Sequence, residues 1–233
     1  MFKLFKKEFD FYLNNAVGYI VVILFAVFVN FLYVKDIFLN GSVSMKSFFG
    51  IVPWLFLIFI PALTMRAFSE EKRLNTIEVL LTLPVSEMQI VVSKFFAHLV
   101  LVMIALLLTF SLPVSFYYLA NIYLPEAAVG YGGAILMGAS FIAVTQYFSS
   151  LTKNQIVSFL SSLVVLFILL GISSDLLSTV LPKLVQDMLI YFSPIYHFQN
   201  FAKGILDLRS IYYFVSITVL FLFLTVVNLE KRN

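Results

Sequence analysis

Residues 65–94, MRAFSEEKRLNTIEVLLTLPVSEMQIVVSK, form a long polar segment between two strongly hydrophobic stretches of the chain. The rest of the chain is too apolar for a soluble domain: 62% of its 233 residues are hydrophobic and 12% are charged. Soluble domains carry about 25% charged residues. We therefore expect an all-α integral membrane protein, a single transmembrane domain over residues 1–233, that presents this segment to a partner.

Six hydrophobic runs each approach the roughly 20 residues that cross a bilayer as a helix. An even number of spans places both termini on one side of the membrane. Most of the 15 lysines and arginines then lie on the side of the N terminus, so the positive-inside rule predicts cytoplasmic N and C termini. The predicted spans are residues 16–33, 48–65, 95–119, 127–148, 156–172 and 211–229. The basic residues assigned to the cytoplasm are Lys3, Lys6, Lys7, Arg66, Lys72, Arg73, Lys94, Lys153, Lys231 and Arg232.

Residues 1–15 show the periodicity of an amphipathic helix, which predicts a helix lying in the membrane interface. A simple basic flank before the first span is the alternative. The apolar side carries Phe2, Phe5, Phe9 and Leu13, and the polar side carries Lys3, Lys6, Lys7 and Asp10.

Two kinds of residue inside the spans predict how the helices pack. Proline removes a backbone donor, so it favours a kinked helix whose neighbours satisfy the freed carbonyl. Small residues at four-residue spacing allow close helix packing, either within the chain or between subunits. The prolines are Pro53, Pro61 and Pro113, and the small residues are Gly130, Ala134 and Gly138.

Residues 173–210 are too polar and too interrupted for a span. Two short apolar helical patterns, at 177–192 and 194–206, surround the pair Ser193-Pro194. They predict two short helices in or near the outer leaflet. Such a hairpin could line an exit path or simply cap the outer surface.

The polar segment contains two signals for the start of a helix. Asn75 followed by Glu78 resembles a capping box, and Ser86 followed by Gln89 repeats the pattern. Pro84 ends the first helix, because the residue before a proline avoids helical backbone. The segment therefore predicts a short helix held between two bends.

This short helix places Ile77, Leu80 and Leu81 together, with Asn75 and Glu78 in a polar stripe. An apolar side on a polar hairpin indicates that the helix packs against something. The membrane interface is one possible partner, and a groove on a soluble protein is the other.

Charged residues precede the short helix. Arg66 and Glu70 are four residues apart, a spacing that can brace a helical extension of the second span. A solvated charged flank is the alternative. Glu70 and Glu71 point to different helix faces and have no histidine near them in sequence, which argues against a metal or acid–base pair.

Residues 70–94, EEKRLNTIEVLLTLPVSEMQIVVSK, resemble the cytoplasmic loop of ABC-2 type transporter permeases. The resemblance continues through MRAFSEEK at 65–72, NQIVSFL at 154–160 and LDLRSIYYFVSITVLFLFLTV at 206–226. Within that superfamily the chain most resembles the permease associated with bacterial gliding motility.

The resemblance implies a six-helix subunit of the bacterial inner membrane that pairs with a second permease, the same chain or a related one, and with ABC ATPase subunits. ATP and magnesium would bind to the ATPase, and this chain would carry no cofactor or metal. The loop 66–94 would hold the coupling helix that enters the ATPase, residues 1–15 would be the interfacial helix, and residues 173–210 the outer re-entrant hairpin. The coupling residues would be Glu70, Asn75, Ile77, Glu78, Leu80 and Leu81, and the bracing residues Arg66, Glu71 and Arg73.

The sequence also bears on other functional classes. It has no G-x-x-x-x-G-K-[ST] phosphate loop, so we expect a non-catalytic subunit. An ion-coupled secondary transporter working alone is the alternative, but such proteins keep ionisable groups within their spans, and His98 is expected at the membrane interface. Cysteine is absent, which excludes thiolate sites, and no dense basic patch indicates nucleic-acid binding.

Overall fold

The computed structural model describes residues 2–41, 43–76, 85–120, 124–172, 185 and 189–231, and every regular element in them is an α-helix. The all-helical prediction is thus confirmed for these residues. The helices are α1 (Phe2–Asn14), α2 (Ala16–Asn40), α3 (Met45–Thr64), α4 (Ser69–Arg73), α5 (Glu87–Thr109), α6 (Ser111–Ala120), α7 (Leu124–Leu151), α8 (Gln155–Gly171), α9 (Pro194–Ala202) and α10 (Leu208–Glu230).

Among the described residues, five helical stretches are long and apolar enough to cross a membrane. The helix α8 is also apolar but has 17 residues, so it is shorter than the other five. The helices extend beyond the predicted hydrophobic runs because a helix continues through polar residues to its caps. The five stretches are Ala16–Asn40, Met45–Arg73, Glu87–Tyr117, Leu124–Leu151 and Leu208–Glu230.

The helix α7 lies at the centre of the bundle, in contact with α3, α5, α8, α9 and α10. Its small residues make this possible. A Cβ atom at Gly130 would overlap the ring of Phe49 on α3, and one at Gly138 would lie 3.2 Å from the side chain of Val102 on α5. Ala134 is fully buried between them. The small residues therefore serve packing within the chain, one of the two predicted roles.

The third predicted span is interrupted, whereas the second is not. The helix α5 ends at Thr109, four residues before Pro113, and α6 resumes at Ser111. This is the position at which a proline ring conflicts with the carbonyl of the residue four before it. By contrast, α3 continues as one helix through Pro53 and Pro61.

The amphipathic N terminus forms α1, which packs against both α5 and α2. Its buried side carries Glu8 and Tyr12. The chain then turns at Asn15, whose side chain accepts a hydrogen bond from the amide of Val17 at 3.2 Å and caps α2. Gly18 permits the close return, because a Cβ atom there would overlap the backbone of Tyr12.

The short helix α9 lies at the end of the bundle remote from α1. It contacts α3, α7, α8 and α10, and its Phe201 occupies the space that a Cβ atom at Gly133 would need. The second predicted outer helix, 194–206, therefore exists over Pro194–Ala202. Most of the first, 177–192, lies outside the described residues.

The contact between Gly130 and Phe49 yields a stability prediction with an internal control. Gly130→Ala would force the buried Phe49 ring to move, so we expect a loss of about 1–3 kcal/mol, as in other overpacked cores. Gly132→Ala on the same helix meets nothing within 4 Å and should be neutral or slightly stabilising. Thermal unfolding in detergent measures both variants. Equal melting temperatures for the two variants would contradict the packing.

Candidate functional site

The end of α3 is fastened to α7 through hydroxyl groups. The hydroxyl of Thr64 donates to Thr145 Oγ1 at 2.7 Å. The amides of Phe68 and Ser69 both donate to Ser149 Oγ, at 3.1 and 3.2 Å. These amides lie at the start of α4, where a helix has free donors that need acceptors. The link between α3 and α4 is thereby held against α7.

A second connection joins α4 and α10 to the same turn of α7. Lys72 is 1% exposed, and its Nζ donates to the carbonyl of Ser150. Asn228 of α10 donates to the carbonyl and to the hydroxyl of Ser150, at 2.8 and 2.9 Å. Lys72 is therefore not part of a solvated charged flank, because it satisfies backbone at the end of α7.

A buried ion-pair network lies beside this connection. Lys94 of α5 is 2% exposed, and its Nζ lies 2.9 Å from Glu8 Oε2 of α1 and 2.8 Å from Glu71 Oε1 of α4. The same Nζ lies 5.3 Å from the centre of the Phe68 ring, which adds a cation–π contact. We call Glu8, Glu71 and Lys94 the charged triad. It joins three helices that are distant in sequence.

Lys94 is also enclosed by protein rather than solvated. A lysine at the entry to a span can reach water only if its side chain is not enclosed. Here Glu8 and Glu71 enclose it, and their charges offset the cost of removing the ammonium from water.

His98 lies one helical turn beyond Lys94. It is fully buried among protein side chains, and its Nδ1 lies 2.6 Å from the carbonyl of Lys94. A carbonyl only accepts, so Nδ1 carries a proton. The His98 ring meets the ring of Tyr12 edge-on at 4.8 Å. Burial, followed by the negative charge of Glu8, raises the pKa of Tyr12 well above its ordinary value, so its hydroxyl stays neutral.

Asn75 ends α4 rather than starting the next helix. Its φ of 55° lies in the left-handed region, which asparagine tolerates better than most residues. The amide of Asn75 donates to Lys72 O at 3.4 Å, and the amide of Thr76 donates to Glu71 O at 2.9 Å. This is the Schellman pattern at a helix C terminus. The predicted N-cap role of Asn75 is wrong, since an N-cap residue has extended backbone.

The other predicted cap is confirmed. Ser86 has extended backbone, and its hydroxyl accepts a hydrogen bond from the amide of Gln89 at 3.3 Å, at the start of α5. The loop between α4 and α5 therefore has a helix cap at each end: Asn75 at the end of α4 and Ser86 at the start of α5. Four predicted coupling residues lie outside the described residues: Ile77, Glu78, Leu80 and Leu81.

Glu70 of α4 pairs with a different arginine from the one predicted. Glu70 pairs with Arg73 at 3.8 Å across one helical turn, not with Arg66. Arg73 is mostly exposed, so this pair contributes at most about 1 kcal/mol. Glu71 holds α4 more firmly than Glu70 does, because its partner Lys94 is buried and lies 2.8 Å away. In the part of the chain that is described, no three His, Asp or Glu side chains are grouped as a metal site.

Sequence reasoning missed Glu8, Ser149, Ser150 and Asn228. Only one signal was available for them. Thr145, Ser149 and the neighbouring Gln146 and Ser150 form pairs four residues apart at the end of a span, and such pairs share one face of a helix. The spacing within one helix does not indicate which residues of other helices contact these side chains.

The family of the chain follows from comparison with known proteins. The sequence profile described as "ABC-2 family transporter protein" matches residues 2–232. The chain belongs to the ABC-2 transporter family. No match was found among curated proteins. For this family member, the helical bundle and the apolar spans fit a multi-pass membrane permease, and membership implies an ABC ATPase as a partner.

The charged triad makes a stability prediction. Lys94→Met removes the ammonium that lies between Glu8 and Glu71, whose side chains are 10% and 19% exposed, and breaking such a largely buried pair should cost about 3–5 kcal/mol of folding free energy. Arg73→Gln, which breaks the exposed pair with Glu70, should cost at most about 1 kcal/mol. Thermal unfolding in detergent compares the two variants.

Neutralising the carboxylates supplies the control. Adding Glu8→Gln and Glu71→Gln to Lys94→Met removes the unpaired charges and should restore much of the lost stability. A Lys94→Met variant as stable as Arg73→Gln would contradict the buried network.

Proposed function

We propose that the chain is the membrane-spanning permease subunit of an ATP-driven exporter, and that residues 74–86 receive the motion of a separate ABC ATPase. Family membership supports the transporter class. The observation that carries the coupling role is the fastening at the base of this loop. The helix before it is held by Glu71 and Lys72, and the helix after it by Lys94.

The proposed topology has six spans. The helix α8 is the fifth, since 17 residues rise about 25 Å at 1.5 Å per residue, and the shortest spanning helices have about 17 residues. Both termini and the loop 74–86 then lie in the cytoplasm, at the inner membrane of a bacterium. Residues 173–210 lie outside and form the re-entrant hairpin.

The proposed contact with the ATPase is apolar at its centre. Ile77, Leu80 and Leu81 enter a groove of the ATPase as one side of a short helix. Asn75 and Glu78 form the polar edge of this contact. Such a contact concentrates its binding energy in a few buried side chains.

The proposed transmission runs through the base of the loop. ATP-driven closure of the ATPase displaces the loop, and Glu71 passes the displacement to Lys94 and hence to α5. Ser149 and Ser150 pass it to α7, because they hold the start of α4 and the side chain of Lys72. The second and third spans then move as rigid levers. Glu70 and Arg73 stiffen α4, and Arg66 lies at the preceding turn.

The assembly that completes this function has further members. A second permease, the same chain or a related one, forms the other half of the path, and ATP and magnesium bind to the ATPase. Similarity of the loop and of the last span supports a place in the gliding-motility-associated subgroup. The apolar spans favour a lipidic, protein or mechanical role over the transport of small ions.

The test is co-purification of the ATPase in mild detergent, with ATP hydrolysis measured on the complex. Leu80→Asp places a charge in the apolar contact, so binding should weaken about thirtyfold or more, as for loss of about 2 kcal/mol at a hot spot. Leu206→Asp is the matched control. Leu206 is 68% exposed and lies at the opposite end of the bundle, so this variant should retain the ATPase.

Two results would overturn the proposal. One is retention of the ATPase by a folded Leu80→Asp variant at wild-type affinity. The other is transport by the purified chain alone in liposomes under an ion gradient, which would establish the secondary transporter instead.

A further inference from the structure

A groove runs between α1 and α5, next to the charged triad. Its volume is about 440 Å³, and its lining comprises Phe2 and Phe5 of α1 together with Ser93, Phe96 and Val100 of α5. Sites that hold small molecules fall in the range of roughly 300–1,000 Å³. The groove is open along one side, and Phe96 is 45% exposed within it.

One wall of the groove is formed by Phe2 and Phe5, the first two rings of an aromatic ladder along α1. The rings of Phe2, Phe5 and Phe9 follow one another along α1, with centres 6.4 and 5.9 Å apart. Glu8 and Tyr12 hold the neighbouring side of the same helix on α5. The ladder is therefore fixed in place, and Phe2 at its end is 76% exposed.

A basic strip borders the ladder. Lys6 is exposed and lies four residues after Phe2 and three before Phe9, so it lies at the border of the polar side, next to both rings. Lys3 is also exposed and lies one turn before Lys6. An apolar groove beside two exposed ammonium groups matches a molecule with a hydrocarbon chain and an anionic head.

We propose that this groove is a binding site for an anionic phospholipid. One acyl chain lies along Phe2, Phe5 and Phe96, and Lys3 and Lys6 bind the phosphate. The spans on either side place α1 next to the bilayer, where an amphipathic helix inserts its apolar side among the acyl chains. The charge of the strip selects anionic lipids over zwitterionic ones. The proposal does not depend on the ATPase.

The experiment uses tryptophan quenching by brominated lipid. The chain has one tryptophan, so Trp54→Phe gives a silent background and Phe96→Trp places a reporter in the groove. The protein is reconstituted into vesicles of phosphatidylcholine with increasing phosphatidylglycerol, one of the two lipids carrying brominated chains. A second reporter, Ile168→Trp, samples an exposed position on α8.

At the groove reporter, brominated phosphatidylglycerol should quench at a mole fraction about thirtyfold lower than brominated phosphatidylcholine, since each of the two lysines near an anionic headgroup contributes about fivefold. The reporter on α8 should show no preference. Equal quenching of the groove reporter by both lipids would overturn the proposal, as would the same preference at both reporters.

Charge variants test the role of the strip. Lys3→Gln/Lys6→Gln should abolish the preference at the groove reporter, while Lys3→Arg/Lys6→Arg should keep it. Lys153→Gln/Lys231→Gln removes two exposed lysines from the same end of the bundle and should leave the preference intact. A preference that survives in Lys3→Gln/Lys6→Gln would overturn the assignment of the phosphate, and an acidic peptide displacing the lipid from the reporter would replace the lipid with a protein partner.

Discussion

The arrangement of this end of the bundle depends on one buried ammonium group. A charge enclosed by protein is tolerated only when it is paired and hydrogen-bonded. Lys94 meets that requirement with carboxylates from α1 and α4, neither of which is near it in sequence. Separating either helix from α5 would leave the ammonium of Lys94 with one carboxylate instead of two. The charged triad therefore links α1, α4 and α5.

The hydroxyl and amide groups at the end of α7 extend this constraint to the bundle. Ser149 and Ser150 accept hydrogen bonds from the start of α4, from Lys72 and from Asn228. A small apolar cluster adds to them, in which Phe68, Val91 and Leu229 bring together the start of α4, α5 and α10. The helices on either side of the loop 74–86 are thus held to the bundle by both polar and apolar contacts.

Local patterns in the sequence predicted the features that depend on local chemistry. The cap at Ser86, the break before Pro113 and the packing of Gly130 each follow from the residue type at that position. Asn75 was misassigned because an asparagine fits both an N-cap and the left-handed position that ends a helix. The pattern alone does not distinguish these two conformations.

The contacts that matter most were not accessible to such reasoning. Lys94 and Lys72 look like ordinary basic flanks of a span, and Glu8 looks like one carboxylate in a charged helix. Their roles come from the approach of α1 and α7 to the loop base, which only the tertiary structure determines. The ring contact between His98 and Tyr12 of α1 is likewise an approach of two helices that the local sequence does not show.

The central claim is that the base of the loop is rigid, and a distance between its two sides tests it most directly. The chain has no cysteine, so Leu74→Cys/Met88→Cys can be spin-labelled at the two exposed ends of α4 and α5. Pulsed electron paramagnetic resonance on the complex with its ATPase would compare the nucleotide-free and ATP-bound states. The account predicts one narrow distance, unchanged by ATP. A distance that shifts or broadens when ATP binds would contradict it, because the loop would then bend at its base instead of moving the spans.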